Sequence, residues 1–316
     1  MPKIVFIKEK HVNRPGVTEL PRWYRGEAAG KANITAKQKP SSPPNAMAEL
    51  EALTGLHKVK SIVREITAYA KIQKKREEYS LKNEPLVLHM IFKGNPGCGK
   101  TTVARILGRL FHQSGLLAKG HLVEAERADL VGEYIGHTAQ KTRDQIKKAL
   151  GGILFIDEAY SLARGGAKDF GKEAIDTLVK AMEDYKQDLI VILAGYRREM
   201  ELFMLTNPGL MSRFPIQIDF PDYTREELML IADQMARERE YYLDQEAREK
   251  LNKYLESINY NTLNFSNARL IRNIIEAAIR KQALRLADNH EHTRQELMAL
   301  TKEDLFLAKN DCYFKL

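Results

Sequence analysis

Cysteine is scarce in this sequence, with only Cys98 and Cys312 among 316 residues. Two thiols are too few for a disulfide framework or a structural zinc site, so both are expected to be reduced. Long apolar runs are missing as well: a membrane span needs about 20 consecutive apolar residues, and runs such as residues 190–194 are far shorter. No membrane-spanning helix is therefore expected.

The N-terminus also lacks the pattern of a secretory leader. Lys8, Glu9 and Lys10 interrupt it before an apolar stretch of about 7 to 15 residues can form. This predicts a cytoplasmic protein. With 44% hydrophobic and 29% charged residues, the chain can bury a substantial core, and its length favours two domains.

Positive charge is concentrated at the N-terminal end. The formal net charge is +8, of which residues 1–45 contribute nine Lys or Arg against three Glu, 9 − 3 = +6. A basic tail is usually solvated, whereas nucleic acid needs a basic patch on a folded surface. The same residues are rich in proline and end in Lys-Pro-Ser-Ser-Pro-Pro, which is typical of an extension and linker. A nucleic-acid partner is therefore not expected.

Short apolar runs alternate with helix-period segments from Met47 onward. Strands are predicted at residues 86–92, 122–125, 153–156, 189–194 and 214–220, with helices such as 101–111 and 175–182 between them. Strand and helix in alternation predict an α/β fold with a parallel sheet covered on both faces.

The C-terminal third is predicted to be a small helical domain in which the strands have stopped. Its first helix opens at Thr224, and Glu227 three residues later gives the capping-box pattern. Further helices follow from apolar residues at helical spacing, including a short last one after Thr301.

Residues 94–101 match the phosphate-loop pattern G-x-x-x-x-G-K-[ST] between a predicted strand and a predicted helix. Glycines let backbone N–H groups approach phosphates, and the helix start adds its positive dipole end. Lys100 supplies charge to the β- and γ-phosphates, and the Thr101 hydroxyl can hold Mg²⁺. The predicted phosphate-binding residues are Gly94, Asn95, Pro96, Gly97, Cys98, Gly99, Lys100, Thr101 and Thr102. A plain glycine turn, the alternative interpretation, does not account for both flanking elements.

A buried strand at residues 153–156 ends in Asp157 and Glu158, 157 − 100 = 57 residues after the lysine. A carboxylate at this end of a strand beside a phosphate loop can hold Mg²⁺, and the next one can deprotonate the attacking water. Asp157 is the candidate metal residue and Glu158 the candidate base. Two acids that merely end a strand are the alternative, which the phosphate loop disfavours. ATP with Mg²⁺ is the expected ligand.

These motifs together resemble the AAA+ ATPases. Residues 120–143 and 157–166 narrow the resemblance to the family of stage V sporulation protein K and the red-type Rubisco activases, and 120–143 favours its sporulation branch. The likeness runs from about Leu50 to near the C-terminus. It implies an αβα nucleotide-binding domain at residues 46–221, a helical lid at 222–316, and residues 1–45 outside the family core.

The resemblance further implies a ring, usually of six subunits, that holds ATP between neighbours and grips another protein in a central pore. Thr54 and Gly55 correspond to the adenine-contacting turn. Tyr134, Ile135 and Gly136 correspond to the pore loop, although a surface aromatic is the alternative for Tyr134.

Three further residues correspond to groups that respond to the γ-phosphate. Arg213 corresponds to the arginine finger presented to the adjoining subunit, with an arginine paired to a local carboxylate as the alternative. Arg269 corresponds to the sensor arginine of the lid, with Arg272 as the fallback. Tyr196 stands where many relatives carry a polar sensor. Cys98 departs from the usual Thr or Ser, which adds a thiol that oxidation could reach.

The leading hypothesis is an ATPase that remodels a partner protein, with spore formation as its setting. A red-type Rubisco activase is the alternative within the same class. A nucleic-acid motor and a structural ring with vestigial hydrolysis are the others. A pore loop of Tyr134 and Ile135 rather than paired cations disfavours nucleic acid, because tracking phosphates requires positive charge. Intact Lys100, Asp157 and Glu158 disfavour the structural ring.

Overall fold

The computed structural model describes residues 45–82, 87–134, 136–164, 170–206, 208–258, 265–287 and 291–307. The predicted extension at residues 1–45, apart from Asn45, and the pore-loop residue Ile135 lie outside this range. Within the described ranges, none of the helices is long and apolar enough to cross a membrane.

Residues 45–221 contain the main sheet, and we call them the sheet segment. Its elements are α1 Ala46–Ala52, α2 His57–Glu78, β1 Met90–Lys93, α3 Lys100–Gln113, β2 Leu122–Ala125, α4 Arg127–Leu130, α5 His137–Ala149, β3 Gly152–Ile156, a 3-10 helix Ala159–Ala163, α6 Gly171–Asp184, β4 Leu189–Gly195, α7 Arg197–Thr206, α8 Pro208–Met211 and β5 Ile216–Asp219.

Residues 222–307 follow, and we call them the helical segment. Its elements are α9 Arg225–Arg237, β6 Tyr242–Leu243, α10 Gln245–Ser257, α11 Asn267–Ala287, α12 Arg294–Met298 and β7 Ala299–Leu300. Both segments belong to one compact unit, Pro44–Leu316. The domain boundaries inferred from the sequence stay a prediction.

The main sheet has the strand order β2-β3-β4-β1-β5, and all its pairs are parallel. Alternate residues of the central strands β1, β3 and β4 enter two separate cores. Ile153 and Phe155 face the core formed with α2 and α3, whereas Leu154 and Ile156 face the core formed with α6 and α7. Every residue of β3 and β4 is buried, because helices cover both faces. The predicted α/β fold is confirmed.

The parallel order fixes where the candidate residues emerge. Because β4 lies between β1 and β3, the segment after β1 (the phosphate loop), Tyr196 after β4 and Asp157 after β3 leave the same edge of the sheet. Carboxyl ends of parallel strands form the binding edge of such folds. Three motifs far apart in sequence therefore meet on one side of the molecule.

The capping box predicted at the start of α9 is present. Thr224 Oγ1 accepts from the Glu227 amide at 3.2 Å, and Glu227 Oε2 accepts from the Thr224 amide at 2.9 Å. The predicted end of the strands at residue 221 is wrong, because Tyr242–Leu243 pairs in parallel with Ala299–Leu300. Two-residue strands are too short to give an alternating pattern.

The short helix predicted after Thr301 is wrong for residues 302–307, where the chain makes a turn. The Thr301 amide and hydroxyl donate to Asp304 Oδ2 at 2.9 and 3.0 Å, which resembles a helix cap in sequence. However, Arg285 of α11 also binds both Asp304 oxygens and holds that carboxylate in the interior. This tertiary ion pair ends the segment as a turn, and the helix α12 lies before β7 instead.

Candidate nucleotide site

A cleft of about 660 Å³ opens between the binding edge of the sheet and the helical segment. Both segments contribute to its walls, and most of the candidate site residues line it. They are Thr54, Pro96, Gly97, Gly99, Lys100, Thr101, Thr102, Asp157, Glu158, Tyr196, Arg269 and Arg272. Residues that are up to 218 positions apart, since 272 − 54 = 218, thus share one cavity.

The phosphate loop joins β1 to α3 and uses two left-handed glycines, Gly97 at φ +71° and Gly99 at φ +94°. Such φ values favour glycine over residues with a Cβ. Gly99 is the N-cap of α3, so the first turn of that helix faces the cleft with its free N–H groups. Lys100 Nζ donates to the carbonyl oxygens of Gly94 and Asn95 at 2.8 and 2.9 Å, which holds its charge beside the loop.

The first residue of the loop is constrained by packing. A Cβ on Gly94 would lie 2.5 Å from the Phe220 carbonyl oxygen and 2.8 Å from the Phe220 Cβ. Both atoms belong to Phe220, directly after β5, and neither can move without moving the backbone there. A larger residue at position 94 would therefore push the loop away from the sheet. The backbone of the loop is therefore set by glycines at both ends.

Asp157 and Glu158 follow directly after β3. The Asp157 amide donates to the Ala125 carbonyl of β2 at 3.0 Å, so the backbone at Asp157 is still held by the sheet. Glu158 has a left-handed backbone, φ +46°, which costs about 1 to 3 kcal/mol for a residue with a side chain. Its side chain is exposed toward the cleft. Strain of this kind concentrates at functional positions, which fits the predicted role of Glu158 as the base.

Two tyrosines stand beside Glu158. The ring centroids of Tyr160 and Tyr196 are 5.9 Å apart. Burial, and to a smaller extent the negative charge of Glu158, raise the pKa of both hydroxyls. The Tyr196 hydroxyl lines the cleft and can donate a hydrogen bond into it. Gly195 makes room for this pair, because a Cβ there would lie 2.7 Å from the Tyr160 ring. Sequence reasoning missed Tyr160, which follows the acidic pair by two residues.

The helical segment supplies two cations to the cleft, Arg269 and Arg272 of α11. Both are exposed and line the cavity opposite Asp157 and Glu158. Arg269 lies near enough to Tyr196 to act on its pKa in the lowering direction, against the larger effects of burial and Glu158. Positive charge from one segment and negative charge from the other thus face the same cavity.

The site has the groups that Mg-ATP needs. Thr101 and Asp157 line one cavity, so a hydroxyl and a carboxylate can both serve a hard cation that takes oxygen ligands. The left-handed residues Gly97 and Gly99 have no side chain, so the backbone of the loop is accessible at these two positions. The described residues contain no group of three His, Cys, Asp or Glu side chains able to hold a metal ion.

Two family models match the chain. The ATPase family associated with various cellular activities (AAA) matches residues 90–222, and the AAA lid domain matches residues 224–312. Stage V sporulation protein K of Bacillus subtilis (strain 168) is 60% identical over 263 residues, which cover 83% of this chain and 82% of that protein. This chain belongs to the AAA+ ATPases.

Other relatives agree with that assignment. Protein CfxQ of Xanthobacter flavus is 46% identical over 83% of this chain and 83% of its own. Protein CbbX of Cereibacter sphaeroides is 43% identical over 86% and 89%. The predicted family resemblance is confirmed, and with it the prediction that the chain is an ATP hydrolase.

The fold recurs in a solved structure. The Thermotoga maritima RuvB Holliday junction branch migration motor superposes with a TM-score of 0.55 at 20% identity, covering 81% of this chain and 68% of that one. At this level of identity the similarity concerns the fold alone. It supports the AAA+ architecture of a parallel sheet followed by a helical lid.

The turn before α2 forms part of the wall of the cleft. Gly55 takes φ +63°, and a Cβ on it would lie 2.2 Å from Glu227 Oε1, so this turn packs against the start of α9. Thr54 lines the cavity there together with Leu53, Ile231 and Met235. These apolar side chains form a wall suited to a flat base. The sequence analysis did not identify Ile231 and Met235 as residues of the site.

Cys98 is fully buried in the loop, and burial raises the pKa of its thiol. Lys100 Nζ lies 3.7 Å from its sulfur and acts in the opposite direction, but the net pKa shift is upward. Since oxidation proceeds through the thiolate, this environment protects the sulfur. Burial and the raised pKa both disfavour the oxidation of Cys98 that the sequence left possible.

Arg213 and Tyr134 do not line this cleft. Arg213 donates to the Gly209 carbonyl at 2.8 Å and pairs with Glu183 of α6, which is the local carboxylate considered from the sequence. Tyr134 is 65% exposed and packs edge-on against the ring of His137, with centroids 5.6 Å apart. Gly136, at φ +84°, caps α5 beside it. Neither residue serves the cleft of its own chain.

Proposed function

We propose that this ATP hydrolase remodels a partner protein through the pore of a six-membered ring in the cytoplasm, and that it does so during spore formation. The observation that supports assembly into a ring is that Arg213 does not line the cleft of its own chain and pairs with Glu183 instead. The cation that the family resemblance assigns to the γ-phosphate can then reach only the cleft of a neighbouring copy.

The cleft supports the following roles for the residues that line it. Thr101 and Asp157 would hold Mg²⁺, which would neutralise phosphate charge, and Lys100 would contact the β- and γ-phosphates. Glu158 would take the proton of the attacking water, and the Tyr196 hydroxyl would orient that water. Arg269 would contact the γ-phosphate from the helical segment, with Arg272 one turn behind it.

The ion pair of Arg213 and Glu183 is partly exposed, which is compatible with an arginine finger that exchanges Glu183 for a phosphate of the neighbouring subunit. Their side chains are 30% and 64% exposed, and exposed ion pairs contribute only about 0 to 1 kcal/mol. Arg213 can therefore leave Glu183 at little cost when a neighbouring subunit brings a phosphate. Charge that grows in the transition state is a stronger partner.

Mixing two inactive variants tests the shared site. Arg213→Ala keeps its own Glu158 but offers no finger, and Glu158→Gln offers a finger but cannot activate water. Each alone should be nearly inactive, and a mixture should recover part of the ATPase activity, since about a quarter of randomly formed neighbours combine both intact groups. Arg197→Ala, an exposed arginine of α7, is the control. No recovery on mixing would place Arg213 outside the shared site.

The exposed aromatic tip at Tyr134 supports a polypeptide as the substrate. A flat apolar side chain that is 65% exposed can hold an extended chain, whereas nucleic acid calls for cations. Tyr134→Ala should abolish stimulation of the ATPase by an unfolded model polypeptide such as carboxymethylated lactalbumin, and Tyr134→Phe should retain it. Tyr185→Ala, another exposed tyrosine, should behave as wild type. Stimulation by DNA or RNA that weakens with salt would instead favour a nucleic-acid motor.

The setting in spore formation rests on the identity with stage V sporulation protein K. Expression of this chain in a Bacillus subtilis strain that lacks that protein should restore heat-resistant spores, and the Glu158→Gln variant should not. ATP-dependent reactivation of an inhibited red-type Rubisco, with no restoration of spores, would favour the Rubisco activase alternative.

A further inference from the structure

The rear of the phosphate loop is attached to the beginning of the helical segment. Three consecutive loop carbonyls each accept a hydrogen bond from that segment. The bonds are Asn267 Nδ2 to Pro96 O at 3.4 Å, the Ala268 amide to Gly97 O at 3.2 Å, and Tyr223 Oη to Cys98 O at 3.4 Å. All of the donors come from residues 223–268, outside the sheet.

The loop and the first turn of α11 are in direct backbone contact. A Cβ on Gly97 would lie 2.3 Å from the Ser266 carbonyl oxygen and 2.7 Å from the Arg269 amide nitrogen. Glycine at this position thus permits the approach, besides permitting φ +71°. The position of Arg269 is thereby set relative to the loop itself.

A side-chain cluster of Asn95, Asp222 and Asn267, which we call the hinge clamp, secures this contact. The Asp222 carboxylate accepts from Asn95 Nδ2 at 3.1 and 2.9 Å and from Asn267 Nδ2 at 2.6 Å. Bonds to a charged acceptor are stronger than bonds between neutral groups. The clamp therefore joins the loop, the connection between the two segments and α11 through one carboxylate.

Asn267 is specialised for this position. It is fully buried, its backbone is left-handed at φ +47°, and its Oδ1 accepts from the Tyr223 amide at 2.9 Å. Asparagine is among the few residues other than glycine that enter this conformation readily. The side-chain oxygen of Asn267 thus accepts from the Tyr223 amide, and its nitrogen donates to the Asp222 carboxylate.

Peptide geometry connects the rear of the loop to its front. In a trans peptide the C=O of one residue and the N–H of the next point in opposite directions. Holding the carbonyls of Pro96, Gly97 and Cys98 toward the helical segment therefore turns the amides of residues 97, 98 and 99 the other way. Those amides are the groups that a phosphate loop presents to phosphates.

We propose that Asp222 and Asn267 are positioning residues for ATP binding: they hold the loop amides in their phosphate-facing orientation and fix Arg269 to the same loop. This inference rests on the proposed role of residues 94–101 as the phosphate loop. The hinge clamp transmits any displacement of α11 directly to the loop backbone, because no flexible side chain separates Gly97 from Arg269.

Charge placement within the clamp provides the test. Asn267→Asp sets a second carboxylate against Asp222, where the bond now measures 2.6 Å. The KM for ATP should rise at least about tenfold, as expected when a hydrogen bond to a charged group is replaced by repulsion. Adding Asp222→Asn restores a donor and an acceptor at this contact with their places exchanged. The double variant should lower the KM from that of Asn267→Asp, but not to the wild-type value, because a carboxylate at position 267 cannot donate to Pro96 O.

The split between KM and kcat separates positioning from simple unfolding. Protein lost to misfolding lowers the maximal rate and leaves the KM unchanged, whereas a displaced loop raises the KM and weakens equilibrium binding of a fluorescent ATP analogue. Asn273→Asp, which adds the same charge at an exposed position of α11, should leave the KM unchanged. Should Asn267→Asp fail to fold, Asp222→Asn alone should raise the KM about threefold or more.

Two results would overturn the inference: an unchanged KM in the single variants, or a double variant no better than Asn267→Asp. Lys100→Ala distinguishes this failure from failure of the site. If Lys100→Ala abolishes ATP binding while the clamp variants bind normally, only the hinge clamp is wrong. If Lys100→Ala binds ATP as wild type does, the assignment of the phosphate loop is wrong.

Discussion

The two walls of the cleft are built in different ways. On the sheet side, Asp157 and Glu158 follow the strand β3, and Lys100 begins the helix α3. The strands β3 and β4 are buried along their whole length. On the helical side, Arg269 and Arg272 are carried by one helix, α11, whose start is held by polar contacts to the loop and the hinge. Both walls rest on apolar packing, since Leu270, Ile271 and Ile274 of α11 are buried as well, but the helical wall depends in addition on a few hydrogen bonds at the start of α11.

This difference suggests a division of labour within the ATPase. Fully packed strands have little freedom, so they suit groups whose spacing must be kept during the chemical step. The start of α11 depends on a few polar bonds besides its apolar packing, and its position can change when those bonds change. We expect variants on the sheet side to affect turnover most strongly, and variants on the helical side to affect binding and local stability.

The largest effect is expected from Glu158→Gln. Loss of the general base should lower the rate of ATP hydrolysis at least about 100-fold, while ATP still binds because the loop is intact. The measurement is steady-state hydrolysis beside equilibrium binding of a labelled ATP analogue. Glu201→Gln, an exposed glutamate of α7, is the matched control. Turnover near that of wild type would remove Glu158 as the base and with it the sheet side as the site of chemistry.

The next effect concerns the ion pair of Arg285 and Asp304. Burial raises the pKa of Asp304, yet hydrogen bonds from Arg285 and Thr301 outweigh it and the net shift is downward. Arg285→Ala leaves a carboxylate that is 1% exposed without its main partner. We expect a loss of about 3 kcal/mol, at the low end for a buried pair because Arg285 itself is partly exposed.

Denaturant unfolding checks that prediction, with hydrogen exchange at residues 299–304 to locate the change. Exchange should increase there and stay unchanged in β3 and β4. The exposed Arg280→Ala on the same helix should change neither quantity. Equal loss of protection in both segments would contradict the idea that the two walls are stabilised separately.

The sheet segment also contains a buried titratable side chain, His89, as the helical segment contains Asp304. His89 is 3% exposed, and burial lowers its pKa from 6.5 to about 4, despite an opposing hydrogen bond to Met182. The unfolded chain therefore binds more protons than the folded one between these values, so stability is complete above pH 6.5 and falls toward pH 4. The expected loss from pH 6.5 to 5 is about 2 kcal/mol.

Unfolding free energies of wild type and His89→Gln across this pH range measure the effect. Glutamine can still accept from the Val191 amide, which lies 3.0 Å from His89 Nδ1, but it does not gain a proton. The difference between the two proteins should shrink as the pH falls. His57→Gln, at an exposed position of α2, should keep the wild-type slope. An unchanged slope in His89→Gln would assign the pH dependence to other groups.

The smallest effect is expected from Tyr196→Phe. Tyr196 lines the cleft, where its hydroxyl can donate a hydrogen bond. If it orients the attacking water, its removal should cost one hydrogen bond, about 1 kcal/mol or roughly fivefold in kcat. ATP binding should be unaffected, and Tyr185→Phe serves as the control. A kcat equal to that of wild type would leave Tyr196 as a packing residue for Tyr160.

Much of the sheet side was predictable because its signals are local. The phosphate-loop pattern, the buried run before Asp157 and the capping box of Thr224 and Glu227 each depend on residues within about eight positions of one another. The helical side was less predictable. The parallel pair β6–β7 and the turn at Asp304 depend on partners 19 to 57 positions away, and a local pattern carries no information about such partners.

By itself the sequence predicted an ATPase and its candidate residues, since Lys100, Thr101, Asp157 and Glu158 stand in patterns whose physical requirements are short-range. It also determined the α/β order through the period of its apolar residues. Only the tertiary structure decided that Asn95, Asp222 and Asn267 meet behind the loop and that Arg213 lies away from the cleft of its own chain. The reason is that these residues are joined by packing across 127 and 45 positions of sequence, where the meeting of two polar groups depends on how whole helices and strands assemble.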